Sequence, residues 1–78
     1  MALKDLITTI AQALVDEPGG VEVTEIDGDH GALLELRVAK GDIGKVIGKD
    51  GRTAQSMRTI LAAASIKFGR RAQLDIVD

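Results

Sequence analysis

The chain has 78 residues, of which 45% are apolar and 28% charged, and its net charge is −2. A chain of this length buries only about 60% of its unfolded surface, so we expect one small domain over residues 1–78 without a deep interdomain cleft. Zero cysteines exclude a disulfide framework and thiolate zinc sites. With one histidine and two serines there is little for catalysis, and the sequence predicts a protein that is not an enzyme.

The apolar residues are spread along the chain. No apolar run approaches the roughly 20 residues of a membrane span, and the first residues lack the pattern of a signal peptide. We therefore expect a cytoplasmic protein with no membrane contact.

The charge is divided between the two halves of the chain. Residues 1–36 carry one base and eight acids, a net charge of −7, whereas residues 37–78 carry nine bases and four acids, a net charge of +5. Such asymmetry favours a polyanionic partner for the basic half. The alternative is that these are solvated surface charges without a partner.

The first half predicts a helix and a hairpin. Five apolar residues recur at helical spacing before Pro18–Gly20 end the helix: Leu3, Leu6, Ile7, Ile10 and Leu14. Residues 21–26 form a predicted strand whose imperfect alternation is compatible with a β-bulge. A turn over residues 27–31 leads to a second strand over 34–38. Asp27, Asp29 and His30 in this turn are also possible metal ligands, but turn chemistry explains them better and we expect no metal.

The second half predicts two helices and a strand. Asp42 is the expected N-cap of a short helix over residues 43–47. A long helix follows from Arg52 to Phe68, with apolar residues at steps of three and four, and Gly69 ends it. Leu74 and Ile76 alternate with polar residues in a last strand. The order predicts an α+β fold, α-β-β-α-α-β, with a three-stranded mixed sheet and the three helices on one face.

Three Gly-x-x-Gly motifs occur, at residues 28–31, 41–44 and 48–51, where chance predicts about one. Only the third lies between two predicted helices. Its glycines allow close approach to the backbone, and the next helix begins with unpaired amides beside Lys45, Lys49 and Arg52, a setting that suits a phosphate backbone. It is not a P-loop, because three residues rather than four separate Gly44 from Gly48 and Asp50 replaces the Ser or Thr. A helix corner that simply needs glycine stays open as an alternative.

Val46–Gly51, within this order of elements, resembles the motif of a type II KH domain. The run Gly48–Gln55 and the chain length are similar to the small single-domain bacterial KH proteins of the KhpA (YlqC) family, over essentially the whole chain. This resemblance implies a protein that binds short single-stranded RNA and needs no cofactor or small-molecule substrate. A single aromatic residue agrees with it, because there is no stacking platform.

The resemblance also implies roles for individual residues. The backbone clamp would be Gly48, Lys49, Asp50 and Gly51, and Asp50 would offset the charge of Lys49. Lys45 and Arg52 would then carry the electrostatic attraction. The groove floor would include Ile43 and Ile47, and the opposite wall would include Arg37 and Lys40.

Finally, the resemblance implies partners and a wider role. It implies a homodimer, or a heterodimer with a second KH protein of the KhpB/Jag/EloR kind. It further implies post-transcriptional regulation or RNA chaperoning linked to cell growth, envelope and division. The alternative function is a protein-interaction subunit with weak RNA binding, which predicts an exposed apolar patch away from the glycine loop.

Overall fold

The computed structural model describes residues 2–77 and contains the elements in the predicted order. They are α1 (Leu3–Leu14), β1 (Glu22–Gly28), β2 (Gly31–Arg37), α2 (Ile43–Ile47), α3 (Arg52–Phe68) and β3 (Ala72–Ile76). Single 3-10 turns lie at Pro18–Gly20, Lys40–Asp42 and Lys49–Gly51. No helix in the described part of the chain combines the length and apolar character that a bilayer crossing requires.

The three strands form one mixed sheet in the order β1-β2-β3. The central strand β2 is antiparallel to β1 and parallel to β3. Pairing of β1 with β2 runs without interruption from Glu22 opposite Arg37 to Gly28 opposite Gly31, so the suggested β-bulge is wrong. A two-residue turn, Asp29 and His30, closes the hairpin where turn chemistry was expected. The α+β fold class is confirmed.

The core lies on one face of the sheet. In β2, Leu34 and Leu36 are completely buried, and Glu35 between them belongs to the opposite, open face. The helices cover the buried face with six core side chains: Leu3, Ile7, Ala11, Val46, Met57 and Leu61. Full burial of each large aliphatic side chain contributes about 2 kcal/mol, so these contacts fix how the helices dock.

Both long helices are rotated slightly from their predicted orientation. In α1 the buried residues are Leu3, Ile7 and Ala11, whereas Leu14 is 38% exposed. In α3 the predicted stripe is buried up to Leu61, but Phe68 is 47% exposed. Ser65 is buried instead, because its hydroxyl donates to the Leu61 carbonyl at 2.7 Å and satisfies its polar atom.

Candidate functional site

The corner between α2 and α3 requires glycine at its first position. Gly48 follows α2 with φ 76° and ψ 173°. A Cβ on Gly48 would lie 2.7 Å from the Cβ and 2.8 Å from the backbone nitrogen of Thr53, which is closer than real Cβ atoms come. The absence of a side chain at Gly48 therefore lets the first turn of α3 pack directly against the end of α2.

The outward side of the corner is open. Asp50 and Gly51 both adopt left-handed conformations, with φ of 58° and 75°. Aspartate is one of the few residue types other than glycine that tolerate this region. Apart from Gly51 and its two chain neighbours, no atom of the described residues lies within 4 Å of the place where a Cβ of Gly51 would stand. An extended ligand can thus approach the backbone closely at Gly51.

Two of the corner's amides are already used. The Gly51 N–H donates to the Gly48 carbonyl at 3.1 Å, and the Arg52 N–H donates to the Lys49 carbonyl. The expectation of unpaired amides at the start of α3 is therefore wrong for these two groups. These bonds form because the chain makes a 3-10 turn between the helices. Attraction for an anion consequently depends more on the side chains than expected.

Two exposed cations flank the corner. Among residues 2–77, neither Lys49 nor Arg52 has a carboxylate oxygen within 4.0 Å. Asp50 between them is also exposed and adds an opposing charge. The corner therefore presents two unneutralised bases and one acid to solvent.

Lys45 lies on α2, which leads into the corner, but its side chain forms ion pairs away from the corner. Its Nζ is 3.3 Å from an Asp16 carboxylate oxygen and 3.7 Å from a carboxylate oxygen of Asp42. These partners sit at the beginning of α2 and the end of α1, away from the corner. Its predicted contribution to the attraction at the corner stays a prediction, with part of its charge already balanced.

Asp42 holds the beginning of α2 in place. Its side chain is buried and accepts the backbone N–H groups of Asp16, at 3.3 Å, and Glu17, at 3.1 Å. Asp42 occupies the predicted N-cap position of α2, but its side chain makes no capping hydrogen bond to that helix. Through these two hydrogen bonds the carboxylate links the beginning of α2 to the segment that follows α1.

The residues predicted for the floor and the opposite wall of the RNA groove lie in different elements of the fold. Ile43 is partly buried and Ile47 is 38% exposed, so α2 offers an apolar surface beside the corner. Arg37 ends β2 on the open sheet face, where it lies 4.0 Å from Glu35, and Lys40 is exposed in the turn before α2. The helices cover the other face of the sheet. Roles for Arg37 and Lys40 stay predictions.

The sequence reasoning missed Arg58. It lies in the seam between α3 and β3, at a cleft of about 310 Å³ that it lines together with Leu61, Ala72, Gln73 and Leu74. Its Nε donates to the Leu74 carbonyl at 3.3 Å. A second cleft of about 400 Å³ follows along the seam. The sequence feature that could have pointed to Arg58 is its position on α3, one turn before Leu61 and therefore next to the buried face of this helix.

Arg70, in the connection from α3 to β3, is bound to the hairpin. Its guanidinium contacts Glu25 at 3.1 Å and also forms an ion pair with Asp27. The hydrogen bond to Asp27, followed by the charges of both carboxylates, raises the pKa of Arg70 above its usual value. This base therefore serves a contact within the molecule.

Comparison with known proteins places the geometry in a family. A family model described as KhpA/KhpB, KH domain, matches residues 4–76. The RNA-binding protein KhpA of Caldanaerobacter subterraneus is 51% identical over 73 residues, covering 94% of this chain and 97% of that protein. The RNA-binding protein KhpA of Aquifex aeolicus is 48% identical over 77 residues, covering 99% of this chain and 98% of that protein.

A solved structure shares the fold. It is that of an Era variant from Aquifex aeolicus bound to GDP·AlF4−, which superposes with a TM-score of 0.64 at 19% identity. The match covers 95% of this chain but only 29% of the Era chain. At this identity the likeness concerns the fold alone.

Proposed function

The chain belongs to the KhpA/KhpB KH-domain family, and from that premise we propose that it is a non-enzymatic module that binds short single-stranded RNA. The RNA backbone lies against Gly48–Gly51, and bases lie over the adjacent surface of Ile43 and Ile47. The observation that carries this proposal is the exposed two-glycine corner, open at Gly51 and flanked by Lys49 and Arg52. KH modules clamp about four nucleotides at such a motif.

Electrostatics favour a modest affinity. Lys49 and Arg52 attract phosphates, whereas Asp50 repels them. Lys45 is partly neutralised by Asp16 and Asp42. Since few phosphates are neutralised, the affinity falls only shallowly with salt.

Charge reversal at the corner tests the proposal. Lys49→Asp places two acids between the glycines and should weaken binding of an oligouridine of about eight nucleotides by about tenfold at low salt. Lys4→Asp is the matched control, because it makes the same charge change on exposed α1, outside the corner. Fluorescence polarisation measures the affinities and circular dichroism verifies the fold. Equal affinity of the wild type and Lys49→Asp at low salt would contradict the proposal.

A second candidate function is supported by exposed apolar residues in the second half of α3. Ile60 is 45% exposed, Ile66 is 84% exposed and Phe68 is 47% exposed. Such residues, away from the corner, suit a protein-interaction subunit that pairs with a copy of itself or with a second KH protein of the KhpB/Jag/EloR kind.

Analytical ultracentrifugation, which measures the oligomeric state, distinguishes this second function from RNA binding alone. Ile66→Glu should convert a dimer to a monomer if α3 is the interface, while leaving oligouridine binding unchanged. A wild-type protein that is monomeric and binds RNA at micromolar concentration would exclude the interaction function as the main one.

The wider role rests on family membership. We place the protein in the cytoplasm, where it would act as a post-transcriptional regulator or RNA chaperone linked to growth, envelope and division. Sequencing of the RNA that copurifies with the wild type but not with Lys49→Asp tests this role, and an unchanged RNA set in the variant would contradict it.

A further inference from the structure

We propose that Arg58 reads a base edge, and that the cleft between α3 and β3 consequently prefers guanine to adenine. This inference rests on the proposed RNA binding and adds which base is chosen and by which residue.

The first step is the free edge of the sheet. β3 is an edge strand, and the residues on either side of it, through the Arg71 carbonyl and the Val77 N–H, both bond to β2. Because alternate residues of a strand direct their backbone groups to the same side, the carbonyl of Leu74 points away from β2. Arg58 Nε donates to this carbonyl at 3.3 Å, which holds the guanidinium at the strand edge.

The second step is what this bond leaves free. Arginine has five N–H donors, and the bond to Leu74 uses the one on Nε. Among residues 2–77, the terminal nitrogens Nη1 and Nη2 make no hydrogen bond or ion pair. Arg37 and Arg70, in contrast, contact carboxylates. The end-on fork of Arg58 is therefore charged and unused.

The third step is the surroundings of the fork. Leu61, Ala72 and Leu74 make most of the lining of the cleft apolar, and its volume is about 310 Å³. Apolar walls with a few placed polar groups, here Arg58 and Gln73, are typical of sites that orient a flat ring. Arg58 lies six residues after Arg52, the first residue of α3, a rise of roughly 9 Å, so a strand held at the corner can reach it.

The chemistry of the fork selects the base. Two parallel N–H donors match the adjacent acceptors O6 and N7 of guanine. Adenine presents a donor at N6 in place of O6, so it faces the fork with one acceptor and one repelling N–H group. Both purines fill the same space, so the preference isolates the hydrogen bonds from size.

Two heptanucleotides test the proposal by fluorescence polarisation at fixed salt: UUUGUUU and UUUAUUU. The wild type should bind the guanine RNA about fivefold more tightly. Arg58→Met removes the N–H donors but keeps an unbranched side chain, so it should bind both RNAs with equal, lower affinity. Arg71→Met makes the same change at an exposed arginine that does not line this cleft, and as the matched control it should keep the guanine preference.

Replacing guanine with 7-deazaguanine provides a test on the wild type alone, should Arg58→Met fail to fold. Loss of N7 should bring the affinity down toward that of the adenine RNA. Undiminished affinity for the 7-deazaguanine RNA, or a guanine preference that survives in folded Arg58→Met, overturns the role of Arg58. Equal binding of both heptanucleotides overturns only this inference, whereas no binding of either overturns the proposed function as well.

Discussion

The two ends of α2 differ in what surrounds their charges. At its beginning, the buried carboxylate of Asp42 accepts two backbone N–H groups, and Lys45 is partnered by Asp16 and Asp42. At its end, Lys49 and Arg52 are exposed and have no ion-pair partner among residues 2–77. A helix of five residues thus has one end fixed to the rest of the fold and one end presented to solvent.

This difference shows that the basic half of the chain is not one uniform surface. Arg37, Lys45 and Arg70 contact carboxylates, so a large share of their charge serves intramolecular contacts. The other six bases of this half have no carboxylate partner among residues 2–77: Lys40, Lys49, Arg52, Arg58, Lys67 and Arg71. Ion-pair state therefore divides these bases in a way that net charge does not.

The largest effect is expected at the presented end, from Gly48→Ala. The new Cβ meets Thr53, and alanine disfavours the φ of 76°, so we expect unfolding to become easier by about 3 kcal/mol. Urea denaturation measures this loss. Gly41→Ala is the control, since no atom lies within 4 Å of its Cβ position in the described structure and its φ is not positive. Equal stability of the two variants would show that the corner is loose.

A smaller loss is expected at the fixed end, from Asp42→Ala. The N–H groups of Asp16 and Glu17 lose their acceptor, and leaving them unsatisfied costs about 2 kcal/mol. Thermal and urea denaturation report the change. Asp50→Asn removes an exposed charge but keeps a residue type that tolerates the left-handed conformation, so stability should stay within about 1 kcal/mol of wild type. If Asp42→Ala were as stable as Asp50→Asn, the two ends would not differ as described.

The smallest effect concerns the two lysines of this region. Lys49→Met should weaken oligouridine binding and reduce the slope of log affinity against log salt by about 1. Lys45→Met should change the slope less, because Asp16 and Asp42 already balance its charge. Titrations at four salt concentrations measure both slopes. Equal slope changes would mean that Lys45 leaves its carboxylates when RNA binds.

The features visible in the sequence are those set by neighbouring residues. The period of α3, its end before Gly69 and the interruption at Gly48–Gly51 all follow from local spacing and backbone preferences. The candidate corner was therefore predictable. The loss of two free amides was not, because it depends on the 3-10 turn that the chain makes between the helices.

The features missed by the sequence join residues far apart in the chain. Asp42 looks like a local cap, but its acceptors serve amides 25 and 26 residues away. Arg58 looks like a solvated helix charge until β3 packs beside it and offers the Leu74 carbonyl. Such partners appear only once the helices dock on the sheet, since propensity and periodicity describe one segment at a time.

The hydrogen bonds inside the 3-10 turn have a consequence for association. Because Gly51 and Arg52 close the turn on Gly48 and Lys49, the backbone adopts its shape before any ligand arrives. If RNA binds at this corner as proposed, little conformational entropy is lost there, so even a few weak contacts are retained as net affinity. Such a preformed backbone would suit many different strands equally and would leave selectivity to side chains beyond the corner.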